Sequence, residues 1–316
     1  MAEIPDKVFI NNLNNLKELS AQTSLILERR ILEIGELISS IITECKATYG
    51  EPYDIYELLA IISEEYRASD FQVHKERLEE NEEMLLRHTA LLNDTDRCIF
   101  CELLMKYAAE NGISLSEEAF ITEASSGEVF TYVKSPISDE AYEVFTENLS
   151  DARVFYSKNF KEATQMVVDG SVDFCLLPLE EKGDRIHTVN QLIFANDLKI
   201  NGVTPVFGFD GMADMKYALV GRNLNLPQIE PGDDRYLEIR LPTDSQVSIG
   251  QLVCAAENFE NSVYRINTET LKVESGEKNY YEIVFRDGGS GFAKLLTYLT
   301  VFTGEYIPVG IYKNLE

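Results

Sequence analysis

Positive charge is scarce in this chain: 28 lysines and arginines stand against 54 aspartates and glutamates, a formal net charge of -26. A surface of that sign repels a phosphate backbone or an anionic membrane over most of its extent, so no nucleic acid and no membrane are expected as partners. Long apolar runs are lacking too. No stretch approaches the roughly 18 consecutive apolar residues of a membrane span. The N-terminus, Met1-Ala-Glu-Ile-Pro-Asp-Lys7, has neither the basic nor the apolar region of a secretory signal. A cytoplasmic protein is the expectation. Cysteines number five, an odd count that fits a reducing compartment better than a disulfide framework. Cys98 and Cys101 form one Cys-x-x-Cys, but no second ligand pair follows at zinc spacing, so they read as two buried thiols on a helix face. Of the three histidines, His74 and His88 have no metal spacing, and His187 has no neighbouring base or nucleophile and reads as structural. No metal and no cofactor are expected. Gly-x-Ser-x-Gly and paired-carboxylate signatures are missing. Asp287-Gly-Gly-Ser-Gly291 lacks the Lys-Ser/Thr of a phosphate loop and reads as a flexible loop.

What is present is enough apolar residue, 45% of 316 positions, to build cores for about two or three domains. From Leu13 to about Lys46, apolar residues recur at helical spacing (Leu16, Leu19, Leu25, Ile26, Ile31, Ile34, Ile38, Ile42), which predicts one long amphipathic helix. Tyr49-Gly-Glu-Pro52 stops it. A short helix is expected from Ile55 to Tyr66, then a third, capped by Ser69-Asp70, through Lys75 and Arg87 to about Leu92. Asn93-Asp-Thr-Asp96 is expected to interrupt before a last helix, Cys98 to Glu110.

After Asn111-Gly112 the period changes. Strands are predicted at 128–134, 152–156 and 172–177, with helices at 139–147 and 160–168 between them, and that alternation implies parallel pairing. Past the linker Pro227-Gln-Ile-Glu-Pro-Gly232 the pattern is strand 236–241, helix 248–259, strands 263–273 and 280–285, helix 291–302, strand 307–312. That is βαββαβ, a compact ferredoxin-like unit. The fold class is therefore multidomain α+β, with an all-α block (1–112), an α/β lobe (113–226) and a ferredoxin-like block (233–316).

Phe160 with Glu162, Val168-Asp-Gly170, Val172-Asp-Phe174, Pro178-Leu-Glu180, Thr188, Leu192 and Asp197-Leu-Lys-Ile200 with Gly202 follow the order found in the first lobe of prephenate dehydratases. The middle block resembles that family from Glu128 to Arg222. The last block is similar to the ACT domain that follows in those enzymes, with Gly310-Ile-Tyr312 where the family has Gly-x-Tyr. The long, short, long helix order at the front looks like a chorismate mutase domain. The whole order resembles the bifunctional chorismate mutase and prephenate dehydratase, an enzyme of phenylalanine biosynthesis.

The departures from that family fall on its polar motifs. Its Gly-Thr-Phe is Ser135-Pro-Ile137 here, its Asn-Ser after Pro-x-Glu180 is Glu181-Lys182, and its Thr-Arg-Phe is Met215-Lys216-Tyr217. Family members place a whole second lobe before Thr-Arg-Phe, whereas Gly202 and Lys216 are 14 positions apart. Dehydration with decarboxylation needs a positioned proton donor and cations for two carboxylates. One wall of a cleft cannot easily supply both. The expectation is a non-catalytic relative that binds a small metabolite or regulates. The alternative is an enzyme of the same pathway: a chorismate mutase, whose chemistry needs only a cationic pocket, or else a prephenate dehydratase. Candidate cations for that pocket are Arg29, Arg30 and Lys46, with Arg67, Lys75, Arg77 and Arg87 further on. In the ACT block, the resemblance sets effector contacts at Val247-Ser248-Ile249 and at Asn267 and Thr268, where the family's Gly-Ala-Leu and Glu-Ser-Arg-Pro are replaced. A homodimer through the ACT or helical block is the expected assembly.

Overall fold

The computed structural model of the chain describes residues 7–49, 92–110, 115–121, 127–207, 213–228, 230, 232–273, 276–303 and 305–315. The described residues divide into two compact units, those before 115 and those from 115 onward.

The first unit contains α1 (Lys7–Tyr49) and α2 (Asp94–Glu110) among its described residues. α1 has no proline and a single glycine, so nothing breaks its hydrogen-bond ladder. Ile34 and Ile38 of α1 are buried, as are Phe100, Cys101, Leu104 and Ala108 of α2, where the two helices pack. The last helix, expected from Cys98, starts at Asp94. Asn93 caps α2 by accepting from the Asp96 N–H at 2.9 Å, and Asp94 and Asp96 complement the N-terminal dipole. Cys98 and Cys101 are buried thiols outside any disulfide, and burial pushes the Cys101 thiol well above its ordinary range. The helices expected at 55–66 and 70–92 lie outside the described residues. Among the described residues no helix is long and apolar enough to cross a membrane.

In the second unit the elements are β1 (Val129–Tyr132), α3 (Pro136–Thr146), β2 (Arg153–Tyr156), α4 (Phe160–Val168), β3 (Phe174–Glu181), β4 (Asp184–Arg185), α5 (His187–Ala195), β5 (Lys199–Phe207) and β6 (Ala213–Gly221). They continue as β7 (Arg235–Pro242), α6 (Ile249–Asn258), β8 (Asn261–Val273), β9 (Gly276–Asp287), α7 (Ala293–Phe302) and β10 (Ile307–Lys313). One sheet runs through both blocks in the order β2-β1-β3-β6-β5-β10-β7-β9-β8, with β4 on β3. β1, β2 and β3 are parallel, as their alternation with helices predicts. β6 lies antiparallel to β5 and slots between β3 and β5. The boundary read at 226–233 falls between β6 and β7, but the strands on either side of it share this sheet.

β3 is buried along nearly its whole length because both its faces are covered. Phe174 and Leu176 join Phe130, Tyr132 and Ala141 under α3. Cys175, Leu177 and Leu179 join Ala163, Val167, Val189 and Ile193 under α4 and α5, in a core that extends to Tyr236, Val284 and Tyr312 of the C-terminal block. At roughly 1.5–3 kcal/mol per buried side chain, these cores are the main stabilising term.

Gly310 joins the blocks. β10 lies antiparallel to β7 on one side and meets β5 in parallel at Gly310–Ile200 on the other. The Leu315 N–H adds a bond to the Val203 carbonyl at 2.8 Å. In the βαββαβ block, β7 is buried on both faces. Leu237, Ile239 and Leu241 alternate toward one face, and Tyr236, Glu238 and Arg240 toward the other. The second face is covered by α5 and β4 of the preceding lobe. Gln191 of α5 also clamps the backbone of β8, accepting from Lys272 N–H at 3.0 Å and donating to its carbonyl at 3.4 Å.

Candidate functional site

In an open α/β sheet the natural ligand crevice lies where connections diverge, at the carboxyl ends of the strands. Here that point is between β1 and β3, since β2 lies on the other side of β1. Ser135, just past β1, is the N-cap of α3 in a capping box with Ser138, and Pro136 starts the helix. Ser138 Oγ accepts from the Ser135 N–H at 2.8 Å and donates to the Val133 carbonyl at 2.8 Å. The serine pair is committed to the backbone.

Across the crevice, β6 presents Tyr217 and Met215, which pack against Phe130, Tyr132, Leu176 and Val206. Burial pushes the Tyr217 phenol up, offset in part by its hydrogen bond with Ser135. The Tyr132 hydroxyl donates to Asp139 at 2.7 Å, and burial together with that carboxylate raises its pKa strongly. Lys134 sits over the Tyr156 ring, 4.4 Å from its centroid. The crevice is thus lined by phenols, a thioether and capped serines, with Asp139 and Lys134 each engaged by a phenol.

Glu181 and Lys182 form its rim as a hairpin turn. Lys182 (φ 52°) and Gly183 (φ 88°) both take the left-handed region, as a two-residue type I′ turn requires. The hairpin pairs Glu180 with Arg185. It carries Arg185 away from the crevice and into the C-terminal block.

A bulge in β3 between Pro178 and Glu180 brings Glu180 opposite Lys216, on the sheet face away from Tyr217. There a buried polar network begins. Glu180 meets Lys216 at 3.2 Å, Arg185 at 3.6 Å, and Arg265 of β8. Arg185 also reaches Glu238 of β7, and Glu282 of β9 at 3.1 Å. Asn190 of α5 donates to Glu282 at 2.8 Å and accepts from Arg240, whose guanidinium lies over Phe194 at 5.6 Å. The Tyr312 hydroxyl donates to Glu238 at 2.8 Å. Burial pushes the Tyr312 phenol well up, reinforced by Glu238, so it stays a neutral donor. Burial lowers the Arg185 pKa, but Glu238 and Glu282 outweigh it, and the net shift is upward.

Burial alone would raise the Glu180 carboxyl. Arg185, Arg265 and Lys216 outweigh it and hold the group below its ordinary value of 4.5. A carboxylate depressed on folding contributes stability that is complete above its ordinary value and is lost as pH falls through the lower folded value. We therefore expect the gap in unfolding midpoint between the native chain and Glu180→Gln to be full near neutrality and to close as pH drops below about 4.5. A gap unchanged into acid would contradict the assignment.

The other expected site residues fall as follows. Arg29 bonds Glu33 at 2.8 Å, and Arg30 lies 3.9 Å from both Glu33 and Asp96. Lys46 is within α1, with its side chain outside the described residues, where Arg67, Lys75, Arg77 and Arg87 also lie. Val247 is buried, and Ser248 caps α6 in a capping box with Gln251, so the first amides of that helix are met from within. Asn267 and Thr268 lie in β8 opposite Glu282 and Tyr281. Nδ1 of His187 is 3.0 Å from Glu269. The loop at 287–291 is pinned, with Asp287 accepting from the Gly289 and Gly291 amides at 2.7 and 2.9 Å. Sequence reasoning missed Arg185, Asn190, Glu238, Arg240, Arg265 and Glu282. Their signal was Glu238 and Arg240 alternating with apolar residues in β7, which resembles an ordinary solvent face.

No known family model matches the chain, and no curated protein matches it. Part of it resembles solved structures in fold. A prephenate dehydratase from Streptococcus mutans is 16% identical with a TM-score of 0.49, over 60% of this chain and all of that one. A protein described as a novel type of quorum quenching acylase is 14% identical with a TM-score of 0.44, over 60% of this chain and 96% of that one. A prephenate dehydratase from Arthrobacter aurescens in complex with L-Phe is 14% identical with a TM-score of 0.42, over 58% and 89%.

Proposed function

We propose that this chain is a non-catalytic, single-lobe relative of the prephenate dehydratases, acting as a metabolite-binding or regulatory protein. The observation that carries the reading is the fate of the residues matching the family's polar motifs. Met215 and Tyr217 are packed into an aromatic core, and Glu181-Lys182 forms a hairpin turn. Glu180 and Lys216 lie on the opposite sheet face, bonded to each other, and Glu180 is bonded also to Arg265. Dehydration needs a donor poised at the leaving hydroxyl. Of the described crevice residues, the acid Asp139 is engaged by the Tyr132 hydroxyl and the cation Lys134 by Tyr156, which leaves neither poised for that role. The ACT-like block supports assembly as a homodimer through β8, the last strand of the sheet. Its other sheet face is covered by α5, and Gln191 protects only one end of its edge.

The test is incubation of the purified chain with prephenate, following phenylpyruvate. The expected result is no product above the uncatalysed rate. Turnover abolished in Lys216→Ala or Tyr217→Phe would overturn the reading.

A further inference from the structure

The notch behind the crevice, lined by Leu179, Glu180, Lys216, Tyr264, Arg265 and Tyr312 among others, has a chemistry unlike the rest of the molecule. Glu180 is its one acid, already shared by three cations. The next carboxylate along β8, Glu269, is turned to His187. Lys216 spends one donor on Glu180 at 3.2 Å and keeps its side chain 31% exposed; an ammonium has three donors. Arg265 Nε is buried without a hydrogen-bond partner among the described residues. Buried donors of this kind demand an acceptor. Tyr236 and Tyr264, ring centroids 5.1 Å apart in a T-shaped pair, form an aromatic wall beside these cations.

We propose that this notch binds the oxyanion of a small ligand, a carboxylate or phosphate, between Lys216 and Arg265, with the ligand body resting on Tyr264. Size limits what enters. The space inside is about 10 Å³, room for one water-sized atom, so an oxygen goes in and a ring stays outside. Tyr264, 53% exposed, is placed to cover it. Elsewhere the net charge of -26 repels anions, which makes the site selective within this molecule. Lys216 belongs to β6 and Arg265 to β8, so a bound anion ties the lobe to the C-terminal block. The site lies on the sheet face opposite the crevice and does not depend on whether the crevice is catalytic.

The test is thermal unfolding of the full chain with inorganic phosphate, acetate or phenylacetate, each against sodium chloride at equal ionic strength, with equilibrium dialysis of labelled phosphate and labelled phenylacetate as a direct readout. A saturable rise of the midpoint is expected with at least one anion. Response to phosphate alone assigns a phosphate site, and response to the carboxylates a carboxylate site. Lys216→Met is expected to weaken binding about tenfold, the effect of one charge-assisted hydrogen bond. Tyr264→Leu should weaken phenylacetate more than acetate. Because Lys216→Met alters the baseline, the ligand-induced shift and the dialysis constant are compared, not the midpoint itself. Shifts no larger than those of sodium chloride for all three anions, or equal affinity in Lys216→Met, would overturn the proposal.

Discussion

Arg185→Met is expected to destabilise the chain by about 3–5 kcal/mol, the range for removing one partner of a buried ion pair. Glu238 and Glu282 have no solvent-exposed surface, and Arg185 meets both as well as Glu180. Without it, three carboxylates remain near one another with Arg240, Arg265 and Lys216 at the edges. The penalty is desolvated charge, not lost attraction, so removing a carboxylate as well should restore part of the stability. Arg185→Met combined with Glu238→Gln is therefore expected to be more stable than the sum of the single variants predicts. Denaturant midpoints at constant m-value measure both effects. A loss below about 1 kcal/mol, as for an exposed pair, would mean that the network is hydrated.

Gly310→Ala should follow in size. An added Cβ would lie 2.5 Å from the Ile200 carbonyl oxygen, 2.9 Å from the Ile200 Cβ and 3.0 Å from the Tyr312 ring. Two of those contacts belong to or adjoin backbone, which cannot rotate away. The strands must separate at the point where β10 meets β5, so the bridge joining the two blocks is lost. Overpacking of this kind costs about 1–3 kcal/mol. Gly183→Ala is the informative comparison. Its φ of +88° strains a side chain, but nothing lies within 4 Å, so its cost is conformational, about 1 kcal/mol. If Gly310→Ala proved the milder of the two, the close approach of β10 to β5 would be wrong.

Much of the fold was legible because it rests on local periodicity. The apolar spacing of α1, the βαββαβ order and the parallel β1, β2 and β3 all follow from patterns of a few residues. The β3–β4 hairpin was not, because Lys182 has no strong preference for the left-handed region, and only Gly183 marks the turn. The start of α2 was read at Cys98 and not at Asp94 because the same residue types cap and interrupt helices. At the candidate site the changed motifs could be read as changes, but not where their side chains would go. Glu238 and Arg240 alternate with Leu237, Ile239 and Leu241 as a half-exposed strand would. They are buried only because α5, about fifty residues earlier, lies across them, and alternation carries no record of so distant a cover.

Both readings of this chain rest on Glu180 and Lys216 facing away from the crevice, with Glu180 bound to Arg265 of the C-terminal block. Hydrogen exchange under native conditions tests this most directly, comparing amides of β3 and β6 with those of β7 and β9. The account predicts that the two groups open with the same free energy and fall together in Arg185→Met. A C-terminal block that opens on its own, with β3 and β6 still protected and Arg185→Met without effect on either, would contradict it.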